Sequence, residues 1–212
     1  MTGTLLSKNA PDSSKKFHIV VPTYEGGTQL EVFINCFLSQ TCQDFHLTVV
    51  SDGPEPDTEE RMMKYWYMPN VSYYAMDVRH NDFGHTPREY GLGLSSCKYT
   101  IMSGFDNYYV PEFLERFDAI DNEYERVGFI YCDFVLDHVR NGVRYNGHID
   151  AKIMCDNIDI GCYACNTEVA KRVGFKFRSF AADWEFVAAV TPVLKTNNYS
   201  TIKIPQTLYV HN

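Results

Sequence analysis

Two rhythms of apolar residues alternate along this chain. Phe17–Thr23 is a β-branched run closed by Pro22, and Phe45–Ser51 is a second such run, so each predicts a short strand. Between them Thr28 is placed to cap a helix. Its apolar residues Leu30, Phe33, Ile34, Phe37 and Leu38 fall three and four apart, the spacing of one buried face, and the pattern stops near Ser39. After the turn residues Asp52, Gly53 and Pro54 the pattern predicts a helix over 57–67, then strands at 71–76, 99–103 and 127–136 with helices at 86–96 and 111–124 between them. Strand and helix in alternation predict an α/β fold with a parallel sheet and right-handed crossovers.

The alternation breaks after Asp133. Arg140, Asn141, Gly142 and Val143 carry the Asn-Gly signal of a β-hairpin within 133–145, and an irregular stretch runs on to Asp159. A short strand near 161–165, a helix near 181–195 and a last strand over 201–210 complete the expectation. No repeat or linker divides the chain. With 212 residues and 45% hydrophobic content the expectation is one domain over 17–212, preceded by a polar segment, 1–16, that frays.

Charge and cysteine content narrow the partners. A net charge of −8 without Lys and Arg clusters excludes a nucleic-acid backbone as partner. No window approaches the roughly 18–20 apolar residues of a transmembrane helix. The first residues resemble no signal peptide. Seven scattered cysteines, an odd number, then suit reduced thiols and a cytoplasmic setting. Cys162 and Cys165 form a C-x-x-C pair, but zinc needs a second pair that the chain lacks.

Ligands of open α/β sheets bind beyond the carboxyl ends of the strands. The loops there hold Pro22 to Glu25, Ser51 to Gly53, Asp77 to Pro87 and Gly104 to Asn107, and they are acidic. Neither G-x-G-x-x-G nor G-x-x-x-x-G-K-[ST] occurs, so a dinucleotide or P-loop site is not expected. An acidic site holds a diphosphate only through a divalent cation, and oxygen ligands point to Mn²⁺ or Mg²⁺.

In order, these segments resemble the family 2 glycosyltransferases of the GT-A fold. Val20 to Tyr24 is similar to the family's first strand, Ser39-Gln40-Thr41 with Asp44-Phe45 to its S-x-x-x-Q-T-x-x-x-[FY]-E stretch, and Val50 to Gly53 to its V-D-D-G. Gly84 to Gly91 resembles its G-x-x-x-A-R-N-x-G segment, Ser103 to Pro111 the segment carrying its metal-binding D-x-D, and Ala181 to Glu185 its E-D pair. The likeness covers about 17–211 and extends to glycosyltransferase domains of large chlorella viruses, which build capsid glycans in the host cytoplasm. Three positions depart from the pattern: Gly104 replaces the first Asp of D-x-D, Glu89 the Asn after Arg88, and Ala182 the Glu of E-D.

The resemblance implies a mostly parallel nucleotide-binding sheet flanked by helices, with a donor half over about 17–110 and an acceptor half over about 111–212 that includes the hairpin. It implies a UDP-sugar donor held by Thr23, Tyr24, Glu25, Asp52, Asp77, Arg88 and Asp106, with Asp52 on the base or ribose and Tyr24 stacking on the base. Asp106 and His211 would meet the cation, and Asp183 would be the general base toward a glycan hydroxyl. One base and no covalent partner imply inversion, and a hexose or deoxyhexose such as glucose or L-rhamnose as cargo. Plainer readings stand beside these: Asp52 and Asp106 as helix caps, Tyr24 in the core, Arg88 in a surface ion pair, His211 solvated, Asp183 against a helix dipole. Two other functions compete, a carbohydrate or nucleotide-sugar binding module without turnover and a sugar-phosphate nucleotidyltransferase, although the latter begins with a Gly-rich basic loop absent here.

Overall fold

The computed structural model describes every residue except Met1, Lys8, Asn141 and Phe180. The strands among the described residues are β1 (Gly3–Leu5), β2 (Phe17–Thr23), β3 (Phe45–Ser51), β4 (Val71–Met76), β5 (Tyr99–Met102), β6 (Tyr108–Tyr109), β7 (Val127–Arg140), β8 (Val143–Ile149), β9 (Tyr163–Asn166) and β10 (Ser200–His211). The helices are α1 (Gly27–Leu38), α2 (Pro56–Met62), α3 (His85–Leu94), α4 (Phe113–Glu123), α5 (Thr167–Val173) and α6 (Ala182–Thr196). One sheet joins all the strands in the order β1-β4-β3-β2-β5-β9-β7-β10-β6, with β8 paired to β7 alone.

The half that alternates regularly in sequence is the parallel half. β4, β3, β2 and β5 run parallel, and every residue of β2 and β3 is buried, as strands covered on both faces must be. Phe33 and Phe37 of α1 pack against Phe45 and Tyr109 on one face, while α3 approaches β2 on the other, where Gly91 lies against Val20. A buried aromatic of this kind contributes about 1.5–3 kcal/mol. The strand order reverses at β2 and β5, which places a crevice at their carboxyl ends.

Beyond β5 the sheet is mixed. β9 runs antiparallel to both β5 and β7, and β10 runs parallel to β7. The expected hairpin is present as β7 and β8, although its turn residue Asn141 lies outside the described residues.

Four local expectations are corrected. The N-terminal segment contains β1, which satisfies the open edge of β4 through Gly3 to Leu5, with Leu6 N–H and the Ser7 hydroxyl extending the bonding to Tyr73. Helix α2 stops at Met62 and tightens into a 3₁₀ turn over Met63–Tyr65. β6 pairs with β10, and α5 fills a stretch where no helix was expected, capped by Asn166 accepting from Val169 N–H at 3.2 Å. Among the described residues no helix is long and apolar enough to cross a membrane.

Candidate active site

Loops from the carboxyl ends of β2, β3, β4 and β5 enclose a cavity of about 310 Å³. Thr23, Tyr24, Asp52, Arg88 and Asp106, all expected at a donor site, line it together. The loop after β4 adds Arg79, Asn81 and Phe83, which carry no periodicity that would single them out in sequence. Glu25 is exposed with φ of 53°, Asp77 is exposed, and neither lines the cavity.

Asp52 is committed to backbone. Its Oδ1 accepts from His80 N–H at 2.9 Å and its Oδ2 from Asn81 N–H at 2.8 Å, so the buried carboxylate shapes the loop after β4. Asp82 then caps α3 through Thr86 N–H and pairs with Arg178 at 3.2 Å. Gly84, at φ +76°, enters that helix where a Cβ would meet Pro22 at 2.8 Å.

Arg88 is no surface ion pair. Only 8% exposed, it donates from one terminal nitrogen to Phe83 O at 2.8 Å and from the other to Ser103 O at 3.2 Å, tying α3 to the end of β5. Its Nε and Thr23 Oγ1 are buried without a hydrogen-bond partner, and both belong to cavity-lining residues. A buried polar atom without a partner calls for an explanation, and a polar ligand in the adjoining cavity supplies one. Tyr24 carries the Arg79 guanidinium 3.4 Å from its ring centre, so one ring face is already stacked.

The motif glutamine Gln40 proves structural. Buried, it donates to Cys36 O and Val110 O and accepts from Leu114 N–H, holding the end of α1 against the chain that follows Asp106. Gly104 lies under Asp106, where a Cβ would stand 2.6 Å from Asp106 Oδ1.

A second cavity of about 400 Å³ is lined by Asp159, Asp183, Trp184 and His211 together with apolar residues of the β7–β8 hairpin. Asp159, buried, accepts from Gly161 N–H at 2.9 Å and from the Tyr209 hydroxyl at 2.6 Å, and its Oδ2 stands 2.8 Å from His211 Nδ1. Burial pushes the Asp159 carboxyl up, but the hydrogen bond and charge of His211, with Tyr209 and Gly161, hold it below the ordinary value. For His211 burial works downward, and the Asp159 bond, with Asp106 and Asp183 nearby, keeps the imidazole above its usual value. Asp183 in the first turn of α6 is pushed up to about 6, first by burial and then by the Asp159 charge, against the pull of Arg88 and His211. Burial also raises Asp106, against His211 and Arg88. Arg88 and Asp106 of the first cavity thus act on the carboxylates and imidazole of the second, and the two cavities share one electrostatic cluster.

Among the described residues no group of three or more His, Cys, Asp or Glu side chains is arranged to hold a metal ion. Asp106 and His211 each act on the charge of the other. All seven cysteines are free, and Cys162 and Cys165 are buried.

No protein-family profile matches the chain. An uncharacterised glycosyltransferase of Rickettsia conorii is 24% identical over 129 residues, 60% of this chain and 21% of that protein. A PGL/p-HBAD biosynthesis glycosyltransferase of Mycobacterium tuberculosis is 25% identical over 122 residues, 57% of this chain and 47% of that protein. The chain spans less than half the length of these relatives. Among solved structures, S. aureus TarS (1–349) superposes with a TM-score of 0.73 at 18% identity, over 93% of this chain and 60% of the other. The mannosyltransferase of Pyrobaculum calidifontis, solved with GDP-Man and Mn²⁺, gives 0.67 at 15% identity over 97% and 59%. TarS has also been solved with UDP and with UDP-GlcNAc. The chain therefore has a GT-A-like fold, and the proteins it resembles in sequence are glycosyltransferases.

Proposed function

We propose that this chain is an inverting glycosyltransferase that moves a hexose or deoxyhexose from a UDP-sugar to a glycan hydroxyl. The observation that carries this reading is the electrostatic cluster that two cavities share: Arg88, Thr23 and Asp106 line one, and the other holds a carboxylate, Asp183, whose pKa is pushed up to about 6. A nucleoside diphosphate fits the first, at the switch point of the sheet. The acceptor enters the second.

Asp183 takes the hydroxyl proton as the acceptor oxygen bonds to the anomeric carbon and the bond from that carbon to the diphosphate oxygen breaks. A base whose pKa lies near the working pH suits this transfer. A single displacement inverts the anomeric centre. Arg88 supplies a fixed positive charge beside the leaving side, and burial strengthens its effect.

Asp106 and His211 fit a divalent cation. Asp106 offers a hard oxygen at the cavity, and His211 offers an imidazole oriented through Nδ1 by Asp159. These two residues would hold Mn²⁺ or Mg²⁺, cations that accept carboxylate oxygen. When bound, the cation balances charge on the departing diphosphate.

The TarS complexes with UDP and UDP-GlcNAc support the donor class, and the mannosyltransferase complex with GDP-Man and Mn²⁺ supports the cation. Glucose or L-rhamnose as cargo, and capsid glycan synthesis in a host cytoplasm, rest on the resemblance of the sequence alone. The test is release of nucleoside diphosphate from UDP-, GDP- and dTDP-sugars with and without Mn²⁺. UDP-hexose consumption that requires the cation is expected, and no consumption of any donor sinks the proposal. Gly104 in place of an aspartate favours a second reading, donor binding without turnover, which predicts saturable UDP-sugar binding and no release.

A further inference from the structure

The second cavity is amphipathic, and its two ends ask for different chemistry. Asp183 and Trp184 sit at one end, on consecutive positions of α6. An indole face beside a hydrogen-bond-accepting carboxylate suits a pyranose ring, whose C–H face stacks while its hydroxyls donate. At the other end the walls are Phe134, Leu136, Ile149 and Ile158. These side chains offer no polar partner, and a glycan laid across them would lose the hydration of its hydroxyls without compensation.

The apolar wall forms a strip on one face of the hairpin at its base. In the β7–β8 register Phe134 stands opposite Ile149 and Leu136 opposite Gly147. By the alternation of strands, Tyr145 and Val143 lie farther out on that same face, opposite His138 and Arg140, so the apolar part of the face ends at Leu136 and Ile149. No heavy atom lies within 4 Å of where a Cβ at Gly147 would stand, so the strip has a shallow trough opposite Leu136.

Charge limits the occupant further. None of the described residues lining this cavity is Lys or Arg, whereas three are Asp: Asp156, Asp159 and Asp183. The one imidazole, His211, already bonds Asp159. A uronate or phosphate near the reacting hydroxyl would meet carboxylates and no guanidinium fork.

We infer that the acceptor is an uncharged glycoside carrying an apolar aglycone. Its sugar lies at Trp184 and Asp183, and its aglycone lies along Phe134, Leu136, Ile149 and Ile158. The inference rests on the reading of Asp183 as the base, and continuity of the strip with the cavity that holds Asp183 is what assigns the strip to the acceptor.

The sequence holds two tryptophans, so in a Trp66→Phe background Trp184 is the sole indole reporter. Octyl β-D-glucopyranoside, kept below micelle-forming concentration, should shift Trp184 fluorescence saturably and bind about tenfold or more tighter than methyl β-D-glucopyranoside. Leu136→Asn and Ile149→Asn should shrink that advantage to within about twofold while leaving methyl glucoside binding unchanged. With UDP-hexose and Mn²⁺, the octyl glucoside should be the better acceptor by a similar factor in kcat/KM, and octyl β-D-glucuronide the poorer one. Equal binding of octyl and methyl glucosides, or preference for the glucuronide, overturns the inference. So does a dimer that Leu136→Asn converts to monomer, because the strip would then be covered by a second copy of the chain. Tight octyl glucoside binding with no sugar transfer keeps the groove and sinks the transferase reading instead.

Discussion

Asp159 Oδ2 stands 2.8 Å from His211 Nδ1, joining the turn that precedes β9 to the last residues of β10. Both partners are shifted so as to favour their charged forms: the carboxyl is lowered and the imidazole raised. A lowered acid stabilises the fold above its ordinary value of 3.8 and loses that contribution as pH falls through its folded value. A raised base contributes below its ordinary value of 6.5 and loses it as pH rises through its folded value. The loss of melting temperature caused by Asp159→Asn should therefore be greatest between those two ordinary values and shrink on either side. Thermal melts from acid to alkaline pH test this, and a deficit independent of pH would show that the pair acts by packing alone.

Asp183 has the opposite sign. Its carboxyl is raised from 3.8 to about 6, first by burial and next by Asp159, so its ionised form destabilises the fold as pH rises through that interval. Asp183→Asn should stabilise the protein by about 3 kcal/mol at pH 8 and by little at pH 4, while lowering sugar transfer about 10²- to 10⁴-fold. UDP affinity should stay within about twofold, since the residue lies on the acceptor side. In the parent protein kcat/KM should climb through pH about 6, and Asp159→Asn should move that limb to lower pH by removing the neighbouring charge. A variant that transfers sugar at the parent rate would exclude Asp183 as the base.

Asp52 accepts two backbone N–H bonds, from His80 and Asn81, and lines the donor cavity. Asp52→Ala leaves both donors unpaired beside that cavity and should cost about 2–3 kcal/mol in urea unfolding. UDP binding should weaken with it, in Mn²⁺ and in chelator alike, because Arg79, Asn81 and Phe83 ride on the loop that Asp52 holds. Weakened binding at full stability would instead make Asp52 a direct nucleoside contact.

The first cavity was legible in the sequence because chemistry and local pattern coincide there. Pro22 to Tyr24 close one strand that periodicity marks, Asp52 and Asp106 follow two others, and the rule for open α/β sheets then collects them at one crevice. Glu25 and Asp77 follow strands too, yet the chain turns them outward, which adjacency along the chain does not reveal. In the second cavity Asp183 is legible from its motif position, but its neighbours are not. Asp159 and His211 are 52 residues apart by their numbers and meet only because β10 returns beside β7. α5 and β6 were missed for a related reason: β6 exists only through its partner β10, and the seven residues of α5 are too few to establish a helical period.

Gly104, where the resemblance implies an aspartate, lies directly against Asp106. A Cβ there would approach Asp106 Oδ1 to 2.6 Å and Asn107 Nδ2 to 3.2 Å. The nearer atom ends a side chain that can rotate, so Gly104→Ala should fold with a loss below about 1 kcal/mol while turning the Asp106 carboxylate from its place. If Asp106 meets the cation, UDP affinity measured in Mn²⁺ should fall about tenfold or more, the scale on which displaced metal-site groups act, and UDP affinity in chelator should not change. Gly104→Asp displaces the same carboxylate but supplies a second one at the same loop, and it should recover part or all of what Gly104→Ala loses. Calorimetry of UDP with each variant, with Mn²⁺ and with chelator, separates the outcomes. A Gly104→Ala defect of equal size in both conditions would mean that the loop binds UDP without a cation, and the assignment of Asp106 as a metal ligand would then be withdrawn.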